Sequence, residues 1–286
     1  MKIPISYPPL LLLSGALTTL AFAPSFAVPV LLATIPLLLL SVRNAATPRR
    51  AFWVGWWFGL GYFCASIYWF AYALLVDAAR FGWLIPFAVG GIGGALALYS
   101  ALTTLIAHRF RHLPVPAYSL AFALLWTIAE ILRSLLFSGF PWNLLGYSWT
   151  ATNISIQAGS IGGVWWLSLL TVLFSSLPLW IHARAFRATA MAVAVFVGLL
   201  TYGYLRLEAN STTYVPDIKL RLVQPNIPQT LKWDKRAEAS NIQRHIDMSL
   251  SKGYESITHL IWAESAMTFR LQQDGFWTQE LGRIAP

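Results

Sequence analysis

Acidic side chains are almost missing from the first 216 residues, which hold only Asp77, Glu130 and Glu208. Charge of either sign is scarce: 11% of the 286 residues are charged, against about 25% in an ordinary soluble domain. With 57% hydrophobic residues and a mean hydropathy of +0.59, the chain lacks the polar surface a soluble protein of this length needs. It reads as a polytopic membrane protein. Cysteine is nearly absent too. Cys64 stands alone, which excludes an intrachain disulfide. It lies in an apolar segment with no neighbouring His or acid and is expected to be a small buried hydrophobe. His245 and His259 have no Cys or His partner at ligand spacing, and no Gly-rich phosphate loop is present. Neither a metal nor a nucleotide cofactor is expected.

The net charge of +9 invites a nucleic-acid partner, but its distribution argues against one. Residues 1–216 carry eleven Lys/Arg against three acids, whereas residues 217–286 carry nine against eight. The excess belongs to the apolar part, where basic loops mark the cytoplasmic side of a membrane.

A membrane-crossing helix needs about 20 apolar residues. Seven segments qualify or nearly so, at about 7–23, 26–42, 51–75, 83–107, 115–136, 158–181 and 188–205. The first two are short and separated by Pro24 and Ser25, as in a tight helical hairpin. Lys2 precedes the first; Arg43, Arg49 and Arg50 follow the second; Arg109 and Arg111 follow the fourth; Arg184 and Arg187 follow the sixth. The alternate connections hold almost nothing basic. The positive-inside rule therefore puts the N-terminus in the cytoplasm and everything after about residue 206 outside. Ala21-Phe22-Ala23 resembles a signal-peptide cleavage site, but Pro24 would follow the cut, so a retained first span is preferred. Gly55/Gly59 and Gly90/Gly94 have the spacing of close helix contacts, within the bundle rather than between copies.

Residues 217–286 change character. Ile218, Leu220 and Leu222 alternate with Lys219 and Arg221, as in a strand. Asp234 is placed to cap a helix carrying Ile242, Ile246 and Leu250, with a stop at Gly253. Ile257–Ala263 is a nearly continuous apolar run, as in a parallel strand covered on both faces. The domains are therefore a helical bundle over 1–206 and the start of an α/β domain over 217–286.

Three groups of residues carry chemistry. Glu264 ends the second strand, where open parallel sheets place ligands and catalytic groups. Apolar Trp262 and Ala263 beside it would partly desolvate its charge and suit it to general-base work; the plainer reading is a solvated loop residue. Glu130 and Arg133 stand one turn apart inside a span and can pair. Ionisable groups there face the bundle interior or a wet cavity, so the pair either fixes packing or serves a site. After them comes Phe140-Pro141-Trp142, an interface anchor or the lining of a lipid entrance. Gln224–Gln229, with Lys232, Trp233 and Asp234, follows the first strand and should lie beside Glu264.

In this order the segments resemble the apolipoprotein N-acyltransferases of bacterial inner membranes. The likeness rests on Glu130–Arg133 with Ser138-Gly139-Phe140-Pro141-Trp142 and Gly146-Tyr147-Ser148. It rests also on Val223–Gln229 with Lys232-Trp233-Asp234, and on Ile261-Trp262-Ala263-Glu264-Ser265-Ala266. The resemblance implies about seven spans followed by an extracytoplasmic nitrilase-like domain with a Glu-Lys-Cys triad. It implies acyl transfer from a phospholipid, through a Cys thioester, to the terminal amine of diacylglyceryl apolipoproteins. Glu264 matches the triad Glu; Trp233 and the Phe140, Pro141, Trp142 loop match positions at the active-site rim and lipid access. The family usually has Pro where Ala263 stands. The triad Lys and Cys have no match in these residues, so a second polypeptide or further chain is expected to supply them. The alternative is a degenerate, non-catalytic relative that binds lipid or lipoprotein. A transporter is disfavoured, because no paired broken-helix sites are seen.

The topology carries a test. Alkaline phosphatase fused after Asn210 should be active, and fused after Arg111 should be inactive; the reverse pattern would overturn the orientation.

Overall fold

A computed structural model describes residues 7–137, 139–268 and 275–285. Lys2 and Ser138 lie outside the described residues. The chain divides into two compact units, Met1–Asn210 and Ser211–Pro286.

The first unit is a helical bundle. Its helices are α1 (Pro8–Thr18), α2 (Leu31–Arg43), α3 (Pro48–Ile67), α4 (Phe70–Leu75), α5 (Ala78–Phe81), α6 (Ile85–Ala107), α7 (Val115–Leu135), α8 (Gly159–Ser175), α9 (Leu177–His182) and α10 (Phe186–Ala209). Among the described residues, four helical stretches are long and apolar enough to cross a membrane: Ala78–Phe110, Val115–Leu135, Ser155–His182 and Phe186–Ala209. Pro8–Ala21 and Val28–Arg43 are shorter apolar helices.

Several spans read as continuous are broken. The segment expected over 51–75 stops at Ile67, and α4 starts a new helix at Phe70. Inside α8, Gly162 and Gly163 leave helical geometry, with φ of −151° and +73°. Hydropathy records apolar character and is blind to such breaks, because the residues on both sides stay apolar.

Size segregates inside out. The buried residues of α6 are Gly93, Ala97, Ser100, Ala101, Thr103, Thr104 and Ala107, while Leu98, Leu102 and Ile106 are exposed. Hydrocarbon solvates large apolar groups as well as the core does, so close backbone approach and dispersion decide which face turns inward. α3 fits between α1 and α6 by this means. A Cβ on Gly61 would overlap the Leu12 carbonyl of α1, and one on Gly55 would overlap Ser100 and Thr104 of α6. Gly94 sits at ordinary contact distance from Trp56 and Leu60, whereas Gly90 has nothing near it. Phe58, Tyr62, Tyr118, Phe122 and Trp126 fill the space between. Cys64 is only half-buried, with Sγ 3.6 Å from the Val89 carbonyl oxygen. Among the buried hydroxyls, those of Ser14, Thr34, Tyr118 and Thr127 have no hydrogen-bond partner among the described residues, while others bond back one turn along the chain, as Thr103 Oγ1 does to Tyr99 O at 2.8 Å and Ser176 Oγ to Val172 O at 2.7 Å. The hydroxyls that bond back leave no donor to hydrocarbon.

The second unit is a strand–helix–strand arrangement. β1 (Leu220–Val223) and β2 (His259–Trp262) pair in parallel, with Leu220 opposite His259 and Val223 opposite Trp262. α11 (Gln229–Lys232) and α12 (Glu238–Ser249) lie between them, and α13 (Gly275–Arg283) follows. The helix expected from Asp234 begins later. Asp234 Oδ1 accepts from Arg236 N at 2.9 Å, closing a turn ahead of α12. At the other end of α12, Arg221 reaches across from β1. Its Nη1 donates to Ser249 O (2.6 Å) and Ser251 O (2.8 Å), and Nη2 to Lys252 O (2.8 Å). A cation thus satisfies carbonyls that the helix end leaves open. Gly253, with φ +89°, makes the turn that follows. β2 is not covered on both faces: Ile261 stays exposed, because only two strands form the sheet among the described residues.

The α1–α3 contact predicts a contrast between two glycines. Gly61→Leu should lower the thermal unfolding temperature of the chain in detergent, at a cost of at least ~1–3 kcal/mol from overpacking. Gly90→Leu should leave it nearly unchanged. Equal effects would show that α3 does not depend on this approach.

Candidate functional site

Glu130 and Arg133 lie one turn apart near the end of α7, 4% and 2% exposed. The direct pairing expected from their spacing does not form: no Arg133 nitrogen comes within 4.0 Å of the carboxylate. Both groups instead hold the chain that follows. Arg133 Nη1 donates to Phe140 O at 2.8 Å and to Trp142 O at 2.7 Å. Glu130 Oε1 accepts from Leu145 N at 2.9 Å and from Trp126 Nε1 at 3.0 Å.

The reason is local. After Leu135 the chain reverses through Gly139, at φ +82°, where a Cβ would strike the Ser134 carbonyl. Phe140 N then bonds Arg133 O at 2.8 Å. The reversed segment has no helical ladder, so its carbonyls and amides need side-chain partners. Arg133 supplies the donors and Glu130 the acceptor. Tyr62 of α3 donates to Asn143 O, and Asn143 Nδ2 donates to Ser66 O at 3.3 Å. Glu130 Oε2 is buried and makes no hydrogen bond; the Ser168 hydroxyl, which accepts from Gly146 N at 2.8 Å, faces the same carboxylate.

With its backbone held, the segment displays aromatic side chains. Trp142 is 54% exposed, its ring 5.5 Å from that of Trp69. Phe140 lies 6.3 Å from Phe70. Tyr147 Oη donates to Pro141 O at 3.0 Å. Phe22, Pro141, Trp142, Asn143 and Tyr147 border an open cavity of about 500 Å³. Such a surface suits an apolar chain, because the nearby polar backbone is already bonded. The partnership of Trp126 with Glu130 follows i, i+4 spacing and was available from sequence. Those of Tyr62, Ser66 and Ser168 are long-range and left no local signal.

In the second unit, Glu264 follows β2 by two residues. It stands in a turn closed by Ala266 N to Ala263 O at 3.1 Å, with Ser265 at φ +57°. The desolvation expected from Trp262 is absent, and Glu264 is exposed. Trp262 turns to α12 instead: its Nε1 donates to Ser249 Oγ at 2.9 Å, and its ring lies 4.8 Å from His245. The Glu264 carboxylate makes no hydrogen bond to any described residue. It shares a pocket of about 140 Å³ with the loop after β1, including Gln224, Asn226 and Lys232, and with Glu238 and His245 of α12. Asn226, at φ +52°, turns this loop. Thr268 Oγ1 donates to Glu238 Oε2 at 3.1 Å and ties the chain after Glu264 to the start of α12. His245 is buried, and Nδ1 lies 2.8 Å from Asn241 O. A carbonyl only accepts, so Nδ1 carries the proton. Trp233 is 61% exposed and does not line the pocket. Glu238 escaped the sequence reading because its helix was read for its apolar face, and His245 was weighed there only as a metal ligand.

Residues 14–177 match the family model described as the apolipoprotein N-acyltransferase N-terminal domain. Similar proteins named apolipoprotein N-acyltransferase occur in Rhodopseudomonas palustris (37% identical, over 96% of this chain and 54% of the relative). Others occur in Rickettsia prowazekii (35%, over 90% and 51%) and Caulobacter vibrioides (36%, over 92% and 50%). The chain thus spans about half the length of the curated relatives it matches. The family model reaches the Glu130 cluster and ends before the strands; matches over 90% or more of the chain must extend into the second unit.

Removing either side chain that holds the reversed segment should be costly. Glu130→Ala orphans the Leu145 amide and the Trp126 indole, each at about 1–3 kcal/mol. Thermal unfolding in detergent should show both Glu130→Ala and Arg133→Met well below the parent, with faster protease cutting between 137 and 147. Unchanged melting and cutting would mean the segment holds itself.

Proposed function

The chain belongs to the apolipoprotein N-acyltransferase family, and from that membership we propose that it is the membrane bundle and first βαβ unit of such an enzyme. The bundle then crosses a bacterial inner membrane seven times, counting the shorter helices α1 and α2 and the 20-residue α3. Its N-terminus is cytoplasmic, and the second unit opens a nitrilase-like domain on the periplasmic side. The acyl donor is a phospholipid and the acceptor is the α-amine of a diacylglyceryl-cysteine at the start of an apolipoprotein.

Glu264 takes the role of general base. It accepts the proton of a cysteine thiol as the sulfur attacks the phospholipid ester carbonyl. The thiolate is the nucleophile, so this transfer sets the rate of attack. The ester C–O bond breaks, the lysophospholipid leaves as an alcohol carrying that proton, and a thioester remains. The lipoprotein amine then attacks the thioester, giving an amide and returning the thiol. Electrons balance without a cofactor. The triad Lys and Cys are supplied outside the positions this chain offers: Cys64 lies within α3, and Lys232 does not match the family's motif position.

One observation carries the reading. In a chain of this family, a carboxylate that bonds to no described residue stands at the carboxyl end of a parallel strand, in one pocket with the loop that ends the neighbouring strand. Ligands of open α/β sheets gather at that edge. A free carboxylate is what proton acceptance requires, since hydrogen bonds to the charged form would hold it ionised. The aromatic surface of Phe140, Pro141 and Trp142 supports a role in lipid access; a rim role for Trp233 rests on the family resemblance alone, since its exposed ring lies outside the pocket.

Complementation tests the assignment. In a strain depleted of the acyltransferase, any form of this protein that restores N-acylation should lose on the order of 10²–10⁴ in rate on Glu264→Gln. Lipoproteins should then accumulate in the diacyl form on mass spectrometry. Normal triacylation by Glu264→Gln would refute the base role. Failure of every form with Glu264 intact would favour the non-catalytic relative.

A further inference from the structure

The helical unit is electrically lopsided. Its three acids are Asp77 before α5, Glu130 late in α7 and Glu208 late in α10. None lies at the end where α2 and α6 finish and α3 and α7 begin. That end holds Arg43, Arg49, Arg50, Arg109 and Arg111, with Arg184 between α9 and α10 and Arg187 in the first turn of α10. The connections are joined there. Arg43 Nη2 donates to Leu113 O at 2.9 Å, and Arg111 Nη1 to Ala45 O at 2.9 Å. Trp180 Nε1 of α9 donates to Ser119 Oγ of α7 at 3.0 Å, bringing the third connection to the same end. Two arginines are thus spent on holding the end together. The guanidinium groups of Arg49, Arg50, Arg109, Arg184 and Arg187 bond to no described residue, and all five side chains are exposed.

Five uncompensated cations on one rim repel one another and need counter-charge. What surrounds them decides its source. Trp53 stands beside Arg49 and Arg50, Phe110 beside Arg109, and Phe186 between Arg184 and Arg187; all three aromatics are exposed. A soluble acidic protein would leave those rings in water. In a bilayer they sit at the interface while the arginines reach the phosphate layer. We propose that this end of the bundle binds the headgroups of anionic phospholipids, with Arg49, Arg50 and Arg109 as the principal phosphate donors. Basic surfaces between helices at this depth have the charge such lipids match. The site is separate from Glu264 and stands whether or not the acyltransferase reading does.

Native mass spectrometry of the full chain, extracted from vesicles of equimolar phosphatidylglycerol and phosphatidylcholine, provides the test. Phosphatidylglycerol should be retained in roughly 10- to 100-fold excess, the size expected for a few arginines near a charged surface. The triple variant Arg49→Gln, Arg50→Gln, Arg109→Gln should bring retention to near parity. Arg80→Gln, in α5 and beyond the far end of α3, should keep the excess. Should the triple variant fail to fold, the parent settles the matter: its excess must collapse as the salt at extraction is raised, because exposed charges are screened. Parity in the parent, or an excess that survives both the variant and salt, would overturn the proposal. So would displacement of the lipid by soluble polyglutamate at equal charge, which would point to an acidic protein partner.

Discussion

Hydrocarbon cannot satisfy a backbone amide or carbonyl, and the helical unit is arranged around that constraint. Helices meet it within themselves. The chain between 136 and 147 does not, and it is tolerated because two buried side chains stand in for water. Arg133 takes the carbonyls of Phe140 and Trp142, and Glu130 takes the amide of Leu145. Neither charge neutralises the other directly. Each is held instead by the backbone of the reversed segment, and Glu130 also by the Trp126 indole. The loop then turns its aromatic side chains outward with the Phe140, Trp142 and Asn143 carbonyls and the Leu145 amide already bonded.

Much of this was legible, and the misses have a common form. Composition reports membrane character, because the absence of charge is a property of whole segments. The parallel strand pair was legible from the alternation at 218–222 and the apolar run at 257–263. The residues of the clamp were legible as well, since ionisable groups within a span are rare. Their partners were not. The i, i+3 spacing of Glu130 and Arg133 states that the two can meet, not that a reversed loop offers each a better partner. Gly139 decides that outcome, and its role depends on the position of Ser134 O.

Helix ends were misread for a related reason. Asp234 has the chemistry of a cap, yet it closes a turn one step before α12, where the chain is still reversing. Arg221 reads as the outward residue of an alternating strand, yet it caps the far end of α12 from another element. In both cases the side chain does what its chemistry allows, for a backbone group that only the tertiary arrangement brings near. The breaks at Ile67 and at Gly162-Gly163 are of the same kind: local geometry changes while apolar character continues.

The two carboxylates singled out from sequence show how surroundings divide labour. Glu130 is enclosed, with one oxygen committed to an amide and an indole. Moving a proton there would disturb the loop it holds, so its chemistry is fixed by its structural duty. Glu264 is the reverse. Its turn holds the backbone through Ala263 and Ala266, Trp262 is drawn aside to α12, and the carboxylate has no partner among the described residues. A group fixed in place but free of hydrogen bonds can exchange a proton at no structural cost. Environments that separate two acids in this way assign their roles more firmly than residue type does. By that argument the proton transfer proposed for this family member suits the exposed glutamate, while the buried one holds the aromatic loop in shape.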